Sequence, residues 1–73
     1  NAHNVLESDL SQEHLRTWVS DLPFEQRQVL HKAYFEDKSQ SMIAADLDIP
    51  IGTVKSRLRL AVAKLVLKAK EMI

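Results

Sequence analysis

The feature that most constrains the fold is the stretch from Pro50 to Met72, where the chain's single glycine lies near the start, at Gly52. Proline suits the first turn of a helix, where its missing N–H group costs nothing. Apolar residues then recur at the i, i+4, i+7 and i+11 spacing of one helical stripe. They are Val54, Leu58, Ala61 and Leu65. The pattern predicts a long amphipathic helix from about Pro50 to Met72.

The opposite side of this helix has the character of a DNA-reading surface. At about 100° per residue, four residues point away from the apolar stripe, with Lys55 and Arg57 on the two flanks. They are Gly52, Ser56, Arg59 and Ala63. Small residues at the front and cations beside them suit entry into a major groove. We therefore interpret this segment as a recognition helix.

Charge is distributed unevenly along the chain, although ten basic and ten acidic residues give it no net charge. Residues 1–48 contain four bases and nine acids, a balance of −5, whereas residues 49–73 contain six bases and one acid, a balance of +5. The cationic part coincides with the recognition helix, where phosphates would require it. Lys and Arg also cover ordinary solvated helices, so charge alone leaves that interpretation open.

The remaining chain reads as three shorter helices, which makes the domain all-α. We expect a first helix from about Ser8 to Ser20, a second from Pro23 to about Phe35, and a third that Ser39 caps and that ends at Leu47. Asp48 is expected to take the left-handed backbone of a tight turn. Residues 1–7 are expected to be a loose lead-in to a domain spanning 8–73. The aromatic residues are expected in or near the core; they are Trp18, Phe24, Tyr34 and Phe35.

Composition argues against several functional classes. A chain of 73 residues buries only about 60% of its unfolded surface, too little for a deep enzyme cleft. There is no cysteine, and His3, His14 and His31 share no metal-ligand spacing. We find no nucleophile–base arrangement, no phosphate-binding glycine loop, no apolar run of membrane length and no leader peptide. We therefore expect no enzyme activity, metal, cofactor, small-molecule substrate or membrane partner.

A short helix, a tight turn and a long basic helix are the parts of a helix-turn-helix. Residues from about Leu22 to Leu65 resemble domain 4 (region 4) of bacterial sigma factors, particularly the extracytoplasmic-function (ECF) group of the sigma-70 family. The most specific match is the run Gly52-Thr53-Val54-Lys55-Ser56-Arg57-Leu58. The other matching residues are Leu22-Pro23, Gln26-Arg27, Val29-Leu30, Ile43-Ala44, Leu47 and Ile49-Pro50.

This resemblance implies a small four-helix domain with a C-terminal helix-turn-helix, of the winged-helix-like DNA-binding class. It implies recognition of the −35 promoter element in transcription initiation, in the bacterial cytoplasm, with promoter DNA and the β-flap of RNA polymerase core as partners. The groove-facing positions map onto Thr53, Lys55, Ser56, Arg57 and Arg59, and the phosphate contacts at the helix-turn-helix entry map onto Ser39 and Gln40. The chain departs from the family at Gln40-Ser41-Met42, where acids are frequent, and at Leu60, where a base is frequent. These departures concern affinity and base preference.

Two alternatives remain open from the sequence. A LuxR-type regulator domain shares Thr53-Val54-Lys55 but usually has histidine two places after the lysine, where this chain has Arg57. A helical interaction module would bind polymerase or an anti-sigma factor without contacting DNA. The end of the last helix is more apolar than a single stripe requires, which predicts a partner contact or a wide core face. The residues expected there are Leu65, Val66, Leu67 and Ala69.

Overall fold

Four helices make up the part of the chain that the computed structural model describes, residues 12–71. They are α1 (Gln12–Ser20), α2 (Phe24–Tyr34), α3 (Gln40–Leu47) and α4 (Ile51–Glu71). Within residues 12–71 there is no strand. The all-α prediction is confirmed, and the helix limits agree with the expected ones to within one residue wherever they can be compared. The lead-in at 1–7, the expected helix start at Ser8 and the expected end at Met72 lie outside the described residues.

Local chemistry explains where the helices begin and end. Pro23 occupies the N-cap of α2, with a φ of −53°. Arg27 Nη1 donates a hydrogen bond to the Ser20 carbonyl at 3.1 Å, which satisfies an acceptor at the end of α1 that has no partner in its own helix. Ser39 caps α3 as predicted: its Oγ accepts a hydrogen bond from the Met42 N–H at 3.1 Å.

Two backbone hydrogen bonds close the short turn between α3 and α4. Asp48 has the predicted left-handed backbone, with φ 56° and ψ 48°. The Ile49 N–H donates to the Ala44 carbonyl at 3.1 Å, and the Asp48 N–H donates to the Ala45 carbonyl at 3.4 Å. These two bonds form a Schellman motif, which ends a helix and reverses the chain within a few residues. The motif sets the angle at which α4 leaves α3.

Helix α4 is the centre of the fold and packs against all three other helices, most extensively against α2. The apolar stripe of α4 is buried as predicted and meets apolar side chains of α2, α3 and the α1–α2 connection. The buried core consists of Leu22, Val29, Leu30, Ile43, Val54, Leu58, Ala61 and Leu65. Around it pack half-buried residues, among them Trp18, Tyr34, Ala44 and Leu47. In residues 12–71, no helix is both long and apolar enough to span a bilayer.

The prediction that all four aromatic residues lie in or near the core is wrong for Phe24 and Phe35, which are 59% and 58% exposed. The period of α2 explains Phe24, because Val29 and Leu30 turn toward α4 and thereby leave Phe24 on the outer side. Phe35 follows the last turn of α2 and stacks on His31, with ring centroids 5.4 Å apart. Both phenylalanines therefore belong to the surface.

Candidate nucleic-acid interface

The first half of α4 presents the predicted DNA-reading residues because its other side is held in the core. Val54 and Leu58 are buried, which leaves Lys55, Ser56 and Arg59 exposed on the outer side. The helix period thus brings these three residues to one accessible surface. We call this surface the groove face and define it by Lys55, Ser56 and Arg59.

Thr53 and Arg57 lie at the edge of the groove face, and both are half-buried. The Thr53 N–H donates to the Pro50 carbonyl at 3.0 Å, so that its backbone belongs to the first turn of α4. Their positions suit contacts with the phosphates that line the sides of a groove. They suit contacts with the base edges on its floor less well.

Ser39 and Gln40, at the entry to the helix-turn-helix, are exposed at the N-terminus of α3. The structure gives Ser39 a structural role, because its hydroxyl oxygen already accepts the Met42 N–H. The N-terminal end of a helix carries partial positive charge and favours anions. Both residues therefore lie where a phosphate could approach. They belong to α3, whereas the groove face belongs to α4.

The basic residues of α4 are not paired with acidic residues in the described part of the domain. The ion pairs of His31, Lys32 and Lys38 involve no residue of α4. The basic residues of α4 thus lack an acidic partner among residues 12–71. Charge excess on one helix, with its counter-charge elsewhere, is the electrostatic footprint expected of a nucleic-acid surface.

Two of the acidic residues, in contrast, are paired with bases where the end of α2, the following connector and α3 meet. There Glu36 and Asp46 face three basic side chains; we call these five residues the charged junction: His31, Lys32, Glu36, Lys38 and Asp46. Lys38 Nζ donates to Asp46 Oδ2 and lies 3.5 Å from Glu36 Oε1. Lys32 Nζ lies 3.7 Å from Asp46 Oδ2, and His31 Nδ1 lies 3.0 Å from Glu36 Oε2.

The charged junction shifts the pKa values of Glu36, Lys38 and Asp46. The hydrogen bond from Lys38, with the positive charges of Lys38 and Lys32, holds the pKa of Asp46 below its ordinary value against partial desolvation. Desolvation alone would raise the pKa of Glu36, but Lys32, His31 and Lys38 together outweigh it and lower that pKa. The pKa of Lys38 is raised, mainly by its hydrogen bond to Asp46. Glu36, Lys38 and Asp46 are therefore ionised near neutral pH, and the contacts of Asp46 with Lys32 and Lys38 tie α3 to α2 and the connector.

Comparison with known proteins agrees with this geometry. The family model of sigma-70, region 4, matches residues 18–66, which contain α2, α3 and most of α4. The chain belongs to the sigma-70 region 4 family. It is 40% identical over 47 residues to the ECF RNA polymerase sigma factor RpoE of Cereibacter sphaeroides, across 64% of this chain and 26% of that protein. It is 43% identical over 54 residues to the ECF RNA polymerase sigma factor SigL of Mycobacterium tuberculosis, across 74% of this chain and 30% of that protein.

These relatives identify the chain as a region 4 of the ECF type, and they favour this family over the LuxR-type alternative. The chain spans only about a quarter to a third of the length of the two relatives. No solved structure matches the chain significantly. In the described residues of this region 4, no cluster of His, Asp or Glu could hold a metal ion.

The partner-contact residues predicted near the end of α4 differ in how deeply they are buried in this region 4 domain. Leu65 is 1% exposed and belongs to the core, so it must be removed from the predicted partner surface. Ala69 is half-buried, whereas Val66 and Leu67 are exposed. Leu67 also lines a shallow groove of about 180 Å³ together with Trp18, Leu22, Lys64 and Lys68, among others.

Sequence reasoning missed two features of this region 4. The first is the charged junction, of which only the i, i+4 pair Lys32–Glu36 could have been read from spacing. The contact of Lys38 with Asp46 joins the connector to the last turn of α3, between residues 8 positions apart in the chain, and no periodicity predicts it. The second is the exposed aromatic surface on α2, where the Arg27 guanidinium lies 5.8 Å from the centre of the Phe24 ring.

Proposed function

We propose that this domain binds the −35 element of promoter DNA as part of a sigma factor that directs RNA polymerase to its start sites. Its contribution is binding, with no catalytic step. The observation that carries this proposal is the exposed groove face, whose cations have no acidic partner among residues 12–71, on the second helix of a helix-turn-helix.

In this mechanism α4 lies in the major groove with Ser56 and Arg59 toward the base edges. An arginine there can donate two hydrogen bonds to one guanine. Lys55 and Arg57, at the sides of the helix, would contact phosphates, as would Thr53. Phosphate contacts fix the register of the helix, whereas base contacts select the sequence.

The N-terminus of α3 supplies a second anchor on the DNA backbone. Ser39 and Gln40 lie there, and the cap that Ser39 forms keeps the first turn of α3 in place. The partial positive charge of a helix N-terminus complements a phosphate. Contacts from both helices would prevent α4 from rolling in the groove.

We expect modest affinity from the isolated domain. A single DNA-binding module buries roughly 600–1,000 Å² of protein surface. In the bacterial cytoplasm, attachment of the sigma factor to RNA polymerase core, including the β-flap, would raise the effective concentration of the domain at its site. Promoter affinity would then exceed what the contacts of α4 alone provide.

A selection from random DNA duplexes, followed by a salt titration of the best duplex, tests the proposal. Each phosphate contact should contribute about −0.9 to the slope of log affinity against log salt. We expect a slope of about −2 from the two cationic phosphate contacts, Lys55 and Arg57. The variant Lys55→Ala should have a shallower slope than Lys70→Ala, which removes the same charge from an exposed position at the far end of α4. Binding that is absent, or independent of salt, would contradict the proposal.

A second candidate function is protein binding at the end of α4, and one observation favours it. Val66 and Leu67 are exposed apolar residues, and Leu67 borders the groove that Trp18 and Leu22 line. We propose that polymerase or an anti-sigma factor contacts this surface. Leu67→Asp should then weaken binding to RNA polymerase core and leave the affinity for the selected duplex unchanged.

A further inference from the structure

Leu60 is an apolar residue placed where the proposed DNA surface continues. It is 51% exposed and lies about 200° around α4 from the buried Leu58. Ser56 lies one turn before it, and Ala63 lies one turn after it; both are exposed. The small neighbours leave the Leu60 side chain accessible from outside the domain.

Leu60 lies beside residues of the groove face, which is the surface proposed to contact DNA. Leu60 follows Arg59 directly and lies about 6 Å along the helix axis from Ser56. A helix seated in the major groove through Lys55, Ser56 and Arg59 therefore brings Leu60 to the floor of the same groove. The floor consists of hydrogen-bonding edges with one apolar exception, the C5-methyl group of thymine.

An isobutyl side chain can neither donate to nor accept from a base edge. Against guanine, adenine or cytosine it would displace water from polar groups without replacing the lost hydrogen bonds. Against a thymine methyl it buries apolar surface on both sides. Thymine is therefore the base that Leu60 should favour as its contact in the groove.

We infer that Leu60 is a specificity-determining residue that selects thymine, through contact with its methyl group, at one or two positions of the bound DNA. This inference rests on the proposed function. It adds an apolar contact to a recognition surface that is otherwise polar and cationic.

The test compares thymine with deoxyuridine, which lacks only the methyl group. The selected duplex is made with each thymine replaced in turn, and the affinity of the domain is measured for each duplex. For the parent we expect about a fourfold loss at one or two positions, the affinity equivalent of burying one methyl group. Leu60→Ala should bind the thymine and deoxyuridine duplexes equally, whereas Leu60→Met should retain the difference.

Leu67→Ala is the matched control. It removes an equally accessible leucine from the same side of α4, about two turns further on, and should keep the parent's response to deoxyuridine. Because both leucines are exposed, each variant should keep the helical circular dichroism and melting temperature of the parent.

The outcomes separate this inference from the proposed function. If the parent binds no duplex in a salt-dependent manner, both fail. If it binds but deoxyuridine has no effect at any position, Leu60 does not select thymine. If Leu60→Ala retains the parent's fourfold loss, another residue contacts the methyl group and the inference is wrong.

Discussion

Lys38 and Asp46 form a hydrogen-bonded ion pair that links the connector after α2 to the last turn of α3. Lys32 approaches the same carboxylate oxygen from α2. The pair therefore helps to fix the orientation of α3 relative to α2. Because the Schellman turn fixes the angle between α3 and α4, the pair also affects the orientation of α4. The ion pair lies away from the groove face, yet it helps to set the orientation of the helix that carries this face.

Because of the charged junction, the stability of the domain should depend on pH in the acidic range. The pKa values of Asp46 and Glu36 are lowered in the fold, so their stabilising contribution is fully present above their unfolded values of about 3.9 and 4.3. It is lost as pH falls through the lower folded values. Thermal melts between pH 7 and pH 2 should show this as a falling melting temperature.

Asp46→Asn tests the assignment to the junction, with Asp48→Asn as its matched control. The first variant removes the carboxylate that Lys38 and Lys32 share, and it should lose part of the acid-dependent fall in melting temperature. Asp48 forms no ion pair within residues 12–71, so its variant should follow the parent. Equal pH profiles for the parent and Asp46→Asn would contradict the role we give to the junction.

Substitution of Leu58 should damage the fold far more than substitution of Leu60, although the two residues are separated by one position. Leu58 lies in the core and Leu60 is half exposed. Leu58→Ala should cost about 2–5 kcal/mol of unfolding free energy, a large share of the stability of so small a domain. Chemical denaturation of both variants measures the difference, and a Leu58→Ala variant as stable as the parent would disprove the placement of the core.

Gly52 is predicted to serve the DNA complex and not the free fold. It has an ordinary helical backbone, and a Cβ added to it would meet no atom within 4 Å. Gly52→Ala should therefore stabilise the domain, by about 0.4–1 kcal/mol. If DNA approaches the first turn of α4 closely, the same variant should bind the selected duplex more weakly. A melt and a binding titration on the same sample decide both points, and a destabilised variant would contradict the first.

Asp48 should tolerate glycine but not valine. Its positive φ of 56° is a conformation that glycine adopts freely and that β-branched residues avoid. Asp48→Gly should be neutral or slightly stabilising, whereas Asp48→Val should lower the unfolding free energy by about 1–3 kcal/mol. Thermal or urea unfolding of the two variants provides the test. Equal stability of the pair would show that the turn between α3 and α4 relaxes without cost.

Arg59 and Lys55 are predicted to have different roles on the groove face. Arg59→Ala should cost about 1–3 kcal/mol on the selected duplex and flatten the preference at one base pair, as expected for a residue that reads a guanine. Lys55→Ala should weaken all sequences alike and reduce the salt slope by about one, as expected for a phosphate contact. A base-by-base binding profile distinguishes them. The reverse result would mean that α4 is rolled in the groove relative to our proposal.

Features determined by neighbours in the chain could be predicted from the sequence. The buried stripe of α4, the Ser39 cap and the left-handed turn at Asp48 depend on helix period and on backbone preferences, which act over at most a few residues. The exposure of Lys55, Ser56 and Arg59 follows from the same period once Val54 and Leu58 are placed in the core. The location of the candidate site was therefore readable before the fold was known.

The tertiary structure alone decided which apolar and charged side chains find a partner. Phe24 and Phe35 are apolar like core residues, but no helix within residues 12–71 covers them. Helix α4 packs instead against the side of α2 that carries Val29 and Leu30. The sequence placed Leu65 both in the apolar stripe of α4 and on a partner surface, and the structure buries it in the core. Lys38 meets Asp46 only because the connector folds back on α3. Burial and pairing of this kind depend on which helices become neighbours in space, and the periodicity of one helix carries no information about what covers its outer side.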